Sequence, residues 1–235
     1  MKILSVNVGA AKAVEYTGAP SGTTGIDKQP VAGPVRVTAP GPAGVGASGV
    51  AGDTVCDLRY HGGDDRAVYA FAREDLDSWE EELGRPLANG AFGENLTTVA
   101  MDLREALVGE RWRVGDEVVL EVTGGRIPCR TFAGRLAEKG WLRRFTRAGS
   151  SGAMLRVIRP GEFSAGDPVE VVERPDHDVT VGRLFRAVTT ERKSLPDMLV
   201  AAEWMEREQL EIARKYAAKY GSHGGHGSHG SHGGR

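Results

Sequence analysis

The chain has 235 residues, a formal net charge of −2 and 40% hydrophobic residues, which fits one large domain or one domain with a small appendage. The near-neutral balance gives no electrostatic footprint for nucleic acid, and no apolar run approaches the ~20 residues of a membrane span. The N-terminus has no signal-peptide layout, and Cys56 and Cys129 form no disulfide or metal framework. We therefore expect a cytoplasmic protein with reduced thiols.

The first fifth of the chain predicts short strands joined by tight corners. Residues 2–8 alternate between apolar and other side chains, which predicts a strand. Gly and Pro interrupt every window between residues 9 and 52, so no helix is expected there, and residues 35–37 are predicted to be extended. This pattern indicates a β-rich domain.

A polar cluster surrounds a pair of glycines in the next segment. Residues 52–66 predict a strand that runs into a glycine turn at residues 62–63. His61, Asp65 and Arg66 flank the turn, where a glycine loop can direct side chains at a ligand and bring backbone N–H groups close to an anion. An ordinary hairpin decorated with polar residues is the alternative interpretation.

A helix and several strands follow this turn. Residues 74–83 have the spacing of an amphipathic helix. Residues 92–98 predict a strand that carries Glu94 and Asn95, and Asp102 is the expected N-cap of a short helix. Two further strands are predicted at residues 111–114 and 116–123.

The stretch 126–130, Arg-Ile-Pro-Cys-Arg, carries the strongest chemical signal of the chain. Cys129 lies just past a predicted strand end, on a loop stiffened by proline and between Arg126 and Arg130. Cations near a thiol favour the thiolate, which attacks carbon or binds a soft metal, and both arginines can bind phosphate. A buried structural cysteine is the alternative, and Cys56, in the predicted strand before the glycine turn, is interpreted as structural.

The remainder of the barrel-like part mixes helices and strands. Residues 132–139 and 141–147 have helical spacing, and the basic run in the second is interpreted as a solvated helix face. Residues 154–158 and 168–172 predict the last strands. The expected fold is mainly β, of the α+β class, with a β-barrel domain over residues 1–175.

The C-terminal part changes character. Residues 176–220 predict a small three-helix domain, with Thr180 and Ser194 as N-caps and the longest helix at residues 204–218. These helices are too few to hold a core alone, so they must pack on the barrel or on a second subunit, as in a homodimer. Residues 221–235 are low in complexity, rich in Gly, Ser and His, and predicted to be disordered.

Six short motifs occur in an order that is specific as a set. They are Gly-Ile-Asp-Lys-Gln-Pro at 25–30, Gly-Val-Ala-Gly-Asp at 49–53, His-Gly-Gly-Asp-Asp-Arg-Ala-Val-Tyr at 61–69, Phe-Gly-Glu-Asn-Leu at 92–96, Val-Gly-Asp at 114–116 and Arg-Ile-Pro-Cys at 126–129. With this set the chain resembles the MOSC domain family over about residues 1 to 220. The closest resemblance is to its YiiM-like branch, in which the barrel is followed by a small three-helix domain.

The resemblance implies a β-barrel enzyme that binds the molybdenum cofactor, a molybdopterin, with Cys129 as the protein ligand to molybdenum. Relatives reduce N-hydroxylated compounds such as hydroxylaminopurine and amidoximes, and His61 or Asp65 would pass the protons that this reduction consumes. By motif match, the candidates for the cofactor pocket are Lys28, His61, Asp65, Arg66, Glu94, Asn95, Arg126 and Arg130.

Three functional hypotheses follow for the chain. The first is a molybdenum-dependent reductase of a small N-hydroxylated substrate. It takes electrons from an external partner reductase, because the sequence has no flavin, haem or iron–sulfur signature. The second is a sulfur carrier that transfers sulfur from a persulfide on Cys129. The third is a non-catalytic barrel that binds an anionic ligand, with Cys129 incidental.

Overall fold

The computed structural model describes residues 1–220, so the tail at 221–235 lies outside the described residues. Strands β1 to β12 are Lys2–Val8, Lys12–Ala13, Thr23–Thr24, Gln29–Pro30, Val35–Val37, Val68–Ala72, Leu96–Val99, Arg111–Val114, Val118–Gly124, Ala153–Arg159, Gly161–Phe163 and Val169–Glu173. Helices α1 to α5 are Arg73–Leu83, Arg130–Leu136, Trp141–Ala148, Val181–Thr189 and Arg207–Tyr220. Two 3₁₀ helices span Asp64–Arg66 and Arg192–Ala201.

A curled, mixed sheet forms the centre of the fold, which confirms the expected β-barrel with associated helices. Its eight strands follow the order β12-β8-β9-β10-β6-β7-β1-β4, and the β6–β7 pair is parallel. The sheet curls far enough for its two ends to meet, because Lys2 bridges Pro168 and the amide of Ile3 donates to the carbonyl of Asp167 over 2.9 Å. This closure protects backbone groups that an open sheet would expose at an edge.

The central strand β9 is buried along its whole length. It carries Glu121, which is 2% exposed and forms ion pairs with Arg111 on β8 at 2.8 Å and with Arg156 on β10 at 3.0 Å. Both arginines stand directly opposite Glu121 in the strand registers. In this cross-strand triad the two arginines balance the charge of the buried carboxylate. They also link β9, the strand that leads to Cys129, to β8 and β10.

Helices α1, α2 and α3 cover one outer face of the sheet with an aromatic cluster. Phe92, Phe132, Trp141 and Phe145 are buried and pack mostly edge to face, with ring centroids 5.1 to 6.1 Å apart. Such pairs add to the hydrophobic stabilisation that burial provides. The cluster fixes the start of α2, and therefore the position of Cys129 immediately before it.

The strand predicted at residues 92–98 begins only at Leu96, so Glu94 and Asn95 lie in the loop before β7. Two other local predictions are wrong. The segment that holds Cys56 is irregular rather than a strand, because its backbone bonds to loops, as when Thr54 donates to the carbonyl of Gly9 over 2.9 Å. Asp102 does not cap a helix, since its carboxylate accepts from the amide of Arg104 over 3.0 Å and closes a turn. Short polar side chains favour such turns as readily as helix caps.

The C-terminal helices differ in part from expectation. Thr180 caps α4 as predicted, accepting from the amide of Arg183 over 3.2 Å. Ser194 lies inside a 3₁₀ helix that contains Pro196, and α5 starts at Arg207, three residues later than predicted. The boundary at residue 175 falls between β12 and α4 and stays a prediction. Among residues 1–220, no helix combines the length and the apolar character needed to cross a bilayer.

Replacing Phe145 with Ala tests the aromatic cluster. We expect a loss of about 3–5 kcal/mol in the free energy of unfolding, because a fully buried ring leaves a cavity. Leu142→Ala on the same helix is the control, since Leu142 is 40% exposed, and its effect should stay below about 1 kcal/mol. Urea denaturation measures both, and equal losses would contradict the assigned packing.

Candidate functional site

A cavity of about 410 Å³ opens where β9 ends and the Cys129 loop begins. Its walls come from the loops before and after β5, from the end of β9 and from the first turn of α5. The structure places seven of the nine residues predicted from sequence in these walls: Lys28, His61, Arg66, Asn95, Arg126, Cys129 and Arg130. Asp65 and Glu94 are not among the lining residues.

Cys129 is the N-cap of α2, and its carbonyl accepts from the amide of Ala133 over 3.0 Å. Burial opposes ionisation of the thiol, but the hydrogen bond from His61 and the positive charges of Arg126 and His61 outweigh it and lower the pKa of Cys129 to about 6. The thiol is therefore largely a thiolate at neutral pH. A thiolate is the form that binds a soft metal or attacks an electrophile.

Arg126 is held in place by aromatic rings rather than by a carboxylate. Its guanidinium lies over the ring of Tyr69 at 5.1 Å and over that of Phe132 at 4.4 Å from the centroids. It also donates to the carbonyl of Phe92. Cation–π contacts orient the group, and no carboxylate of residues 1–220 forms an ion pair with it, so its positive charge can act on the Cys129 thiol.

Lys28 forms a buried ion pair with Asp53, a residue that the sequence argument did not select. The side chains are 8% and 1% exposed. Asp53 also accepts from the amide of Gly9 at 2.8 Å, from Ser48 Oγ at 2.7 Å and from Asn95 Nδ2 at 2.9 Å. Burial lowers the pKa of Lys28, although Asp53 opposes this shift.

Glu94 and Asn95 have separate roles. Glu94 is fully buried behind the cavity, where its carboxylate accepts from the amides of Gly90 at 2.6 Å and Phe92 at 3.0 Å. Burial raises the pKa of Glu94. Glu94 shapes the 90–93 loop rather than contacting a ligand, contrary to expectation. Asn95 lines the cavity and accepts from the amide of Tyr69 over 3.2 Å.

Asp65 and Arg66 connect the barrel to the C-terminal helices. Asp65 pairs with Arg156 at 2.6 Å and accepts from the amide of Arg207 at 3.2 Å. This position lies outside the cavity walls, so the expected proton transfer by Asp65 is not supported. Arg66 lines the cavity but pairs with Glu206 at 2.9 Å and Glu208 at 2.6 Å, so its charge is already balanced.

Arg130 is the remaining cation of the wall. It is exposed, and within residues 1–220 no carboxylate lies within ion-pairing distance of its guanidinium. A free guanidinium adjacent to Cys129 is suited to bind a phosphate of a ligand by two parallel hydrogen bonds.

Three other residues stand out among the wall residues that sequence reasoning missed besides Asp53. Glu208 and Gln209 come from the first turn of α5. Cys56 also lines the cavity, rather than lying in a strand as predicted. Its thiol is free. The Gly-Asp pair at residues 52–53 was a signal for Asp53, since a carboxylate after a glycine turn often organises loops. No local signal marks Glu208 or Gln209, because only folding brings α5 to the cavity.

Comparison with known proteins places these residues in a family context. The MOSC domain family model matches residues 57–170. The uncharacterized protein YflK of Bacillus subtilis (strain 168) is 34% identical over 179 residues, which cover 76% of each chain. A protein named reductase from Gibberella moniliformis is 33% identical over 159 residues, 66% of this chain but only 28% of that longer protein.

Among solved structures, YiiM from Geobacillus stearothermophilus superposes with a TM-score of 0.73 and 28% sequence identity. The superposition covers 92% of this chain and 98% of that one. It therefore includes the C-terminal helices as well as the curled sheet. The expected resemblance in fold is confirmed over both parts.

The ionisation of Cys129 can be measured by alkylation with iodoacetamide in a Cys56→Ser background. The rate should rise as the pH rises through about 6 and then level off, because the thiolate fraction saturates above the pKa. In His61→Ala the midpoint should move to higher pH, since the thiolate loses a hydrogen bond and a positive charge. A midpoint near the unperturbed value of about 8.5 in both proteins would contradict the assigned geometry.

The Lys28–Asp53 pair can be tested by a double-variant cycle. Asp53→Asn should reduce the free energy of unfolding by about 3–5 kcal/mol, because it leaves a buried ammonium without its counter-charge. Combining Asp53→Asn with Lys28→Met should recover part of that loss, since the unpaired charge is then gone. Chemical denaturation measures the cycle, and strictly additive losses would contradict a coupled pair.

Proposed function

The chain belongs to the MOSC domain family, and from this premise we propose that it binds the molybdenum cofactor through Cys129 and reduces N-hydroxylated compounds to amines. The observation that carries the proposal is a half-buried cysteine, with its pKa lowered to about 6, in a cavity large enough for a small molecule. A thiolate is the soft ligand that molybdenum prefers. The named reductase among the relatives supports the reaction class.

The donor set fits a metal that arrives within a cofactor. Residues 1–220 hold no group of three or more His, Cys, Asp or Glu side chains arranged to bind a metal ion. Cys129 would therefore supply one sulfur ligand, and the sulfur atoms of the pterin would supply others. Arg130 and the hydroxyl of Thr24 offer donors for the phosphate and the hydrogen-bonding edges of a pterin.

The proposed reaction takes up two electrons and two protons, so that a hydroxylamine R–NHOH gives R–NH2 and water as the N–O bond breaks. The bound molybdenum cofactor supplies the redox centre for this two-electron step. His61 is exposed, and its imidazole helps to lower the pKa of the Cys129 thiol, so it can carry protons from solvent to the oxygen that leaves as water. Electrons come from an external reductase, the partner that this proposal requires.

Metal and pterin analysis tests the proposal. We expect wild-type protein from a host that makes the cofactor to contain molybdenum and a pterin in equal amounts, and Cys129→Ala to lose at least tenfold of the metal because its protein ligand is gone. Cys56→Ala is the matched control, because Cys56 lines the same cavity and should keep the metal. Wild-type protein without molybdenum or pterin would contradict the proposed function.

Sulfur transfer is the second candidate function, and one observation favours it. Cys129 and Cys56 line the same cavity, and a thiol with a lowered pKa accepts sulfur readily from a persulfide donor. Mass spectrometry after incubation with a sulfur donor should then show one extra sulfur atom on Cys129 that a reductant removes. If neither sulfur nor molybdenum is found on Cys129, a barrel that binds an anionic ligand through Arg130 becomes the better description.

A further inference from the structure

The β2–β3 hairpin forms one wall of the cavity that holds Cys129, and few contacts attach it to the rest of the protein. It contributes five lining residues: Thr17, Gly18, Ala19, Thr23 and Thr24. None of residues 10–23 is buried. Within residues 1–220, the backbone–backbone hydrogen bonds of residues 10–23 stay inside the hairpin, as when the amide of Val14 donates to the carbonyl of Gly22 over 3.0 Å. A segment with so little burial opens at a low free-energy cost.

The base of the hairpin, in contrast, is fixed by close backbone packing. The amide of Gly9 donates to the carboxylate of Asp53 over 2.8 Å, and its carbonyl accepts from the amide of Thr54 over 2.9 Å. On the other side of the base, a Cβ at Gly25 would lie 2.1 Å from the carbonyl oxygen of Thr54, so a larger residue does not fit there. Movement of the hairpin is therefore confined to residues 10–23.

An arginine of a neighbouring loop fastens the tip of the hairpin. Nη2 of Arg59 donates to the carbonyl of Gly18 over 3.1 Å. Asp57 orients the guanidinium by accepting from its Nε and its Nη2, each over 2.8 Å. Arg59 is 53% exposed, and polar contacts at such exposure contribute little stability. The bond to Gly18 can therefore break and form again while the rest of the fold stays intact.

Helix α2 holds the hairpin on the side of Cys129. The hydroxyl oxygens of Thr17 and Thr131 are 3.2 Å apart, which is hydrogen-bond distance. Tyr16 packs on Gly134, since a Cβ at Gly134 would lie 2.3 Å from the Cβ of Tyr16. Thr131 lines the cavity and follows Cys129 by two residues. The hairpin therefore lies against the segment that carries the thiol.

We propose that the β2–β3 hairpin is a flap that opens to admit a ligand to Cys129 and closes over it, with Arg59 as its latch. Opening breaks the bond from Arg59 to Gly18 and the contact between Thr17 and Thr131, and residues 10–23 then move on the fixed base. Closure keeps bulky molecules and bulk water away from the thiol. The inference goes beyond the proposed function, because such a flap controls access to Cys129 whichever reaction takes place there.

The test measures access to Cys129 in a Cys56→Ser background. The probes are two neutral maleimides of different size, N-ethylmaleimide and the rigid N-(1-pyrenyl)maleimide, used at pH 7, above the pKa of about 6. The ratio of their two rates reports access, because a change in thiol ionisation alters both rates alike. In Arg59→Ala the bulky reagent should gain about threefold or more relative to the small one, since the latch is gone. Thr17→Val should change the ratio in the same direction.

Arg104→Ala is the matched control. Arg104 is 48% exposed, and its Nε and Nη2 donate to Asp102, two residues before it, as Arg59 donates to Asp57. Within residues 1–220 it forms no hydrogen bond with the hairpin. Its substitution removes the same charge and the same local ion pair, so the rate ratio should remain that of wild type. An equal rise in Arg104→Ala would contradict a specific latch.

Hydrogen–deuterium exchange on the same proteins provides a second measurement. The amides of residues 14–22 should exchange faster than those of β9 in wild type, and about threefold faster again in Arg59→Ala. Exchange in β9 should stay unchanged, which also shows that the variant is folded. A wild-type rate ratio in both Arg59→Ala and Thr17→Val overturns the proposal. Equal acceleration of both maleimides overturns it as well, because that result reports thiol reactivity rather than access.

Discussion

The carboxylate of Asp53 gathers four separate parts of the chain around one buried negative charge. It accepts from the backbone of Gly9, from Ser48, from Asn95 and from the ammonium of Lys28. Each donor lies on a different segment of the chain, and three of the four line the cavity, so these segments keep fixed positions without regular secondary structure between them. Removing this charge would leave several buried donors unpaired at once, which makes the network cooperative.

The cations of the site divide into those that are already paired with carboxylates and those whose charge can still act on the thiol or on a ligand. Lys28 and Arg66 face carboxylates from Asp53 and from the α5 turn, so their charges are balanced before any ligand arrives. Arg126 is held by aromatic rings and acts mainly on the thiol. Arg130 has no carboxylate partner within residues 1–220, so its charge can bind an anionic ligand. This division reconciles a cation-rich cavity with a chain whose net charge is −2.

Barrel and helices form one working unit at the end of β9. The strand carries Glu121 in its interior, ends at the glycine pair and leads directly into the Cys129 loop. The α5 turn docks on the same strand end through Glu206 and Gln209. A displacement of α5 should therefore shift the Cys129 loop, because both are attached to the same end of β9. The short C-terminal helices need this docking surface for stability, and they supply Glu208 and Gln209 to the cavity wall.

The sequence by itself determined the class of fold and most strand positions, and seven of the nine site residues that it predicted lie in the cavity walls. Hydrophobic periodicity and glycine breaks are local signals, and the order of the motifs can be recognised in a single sequence. Tertiary structure alone decided that Glu94 and Asp65 lie outside the cavity and that Asp53 and Gln209 belong to it. Those assignments depend on which way a side chain faces after distant segments pack, and sequence spacing carries no information about that direction.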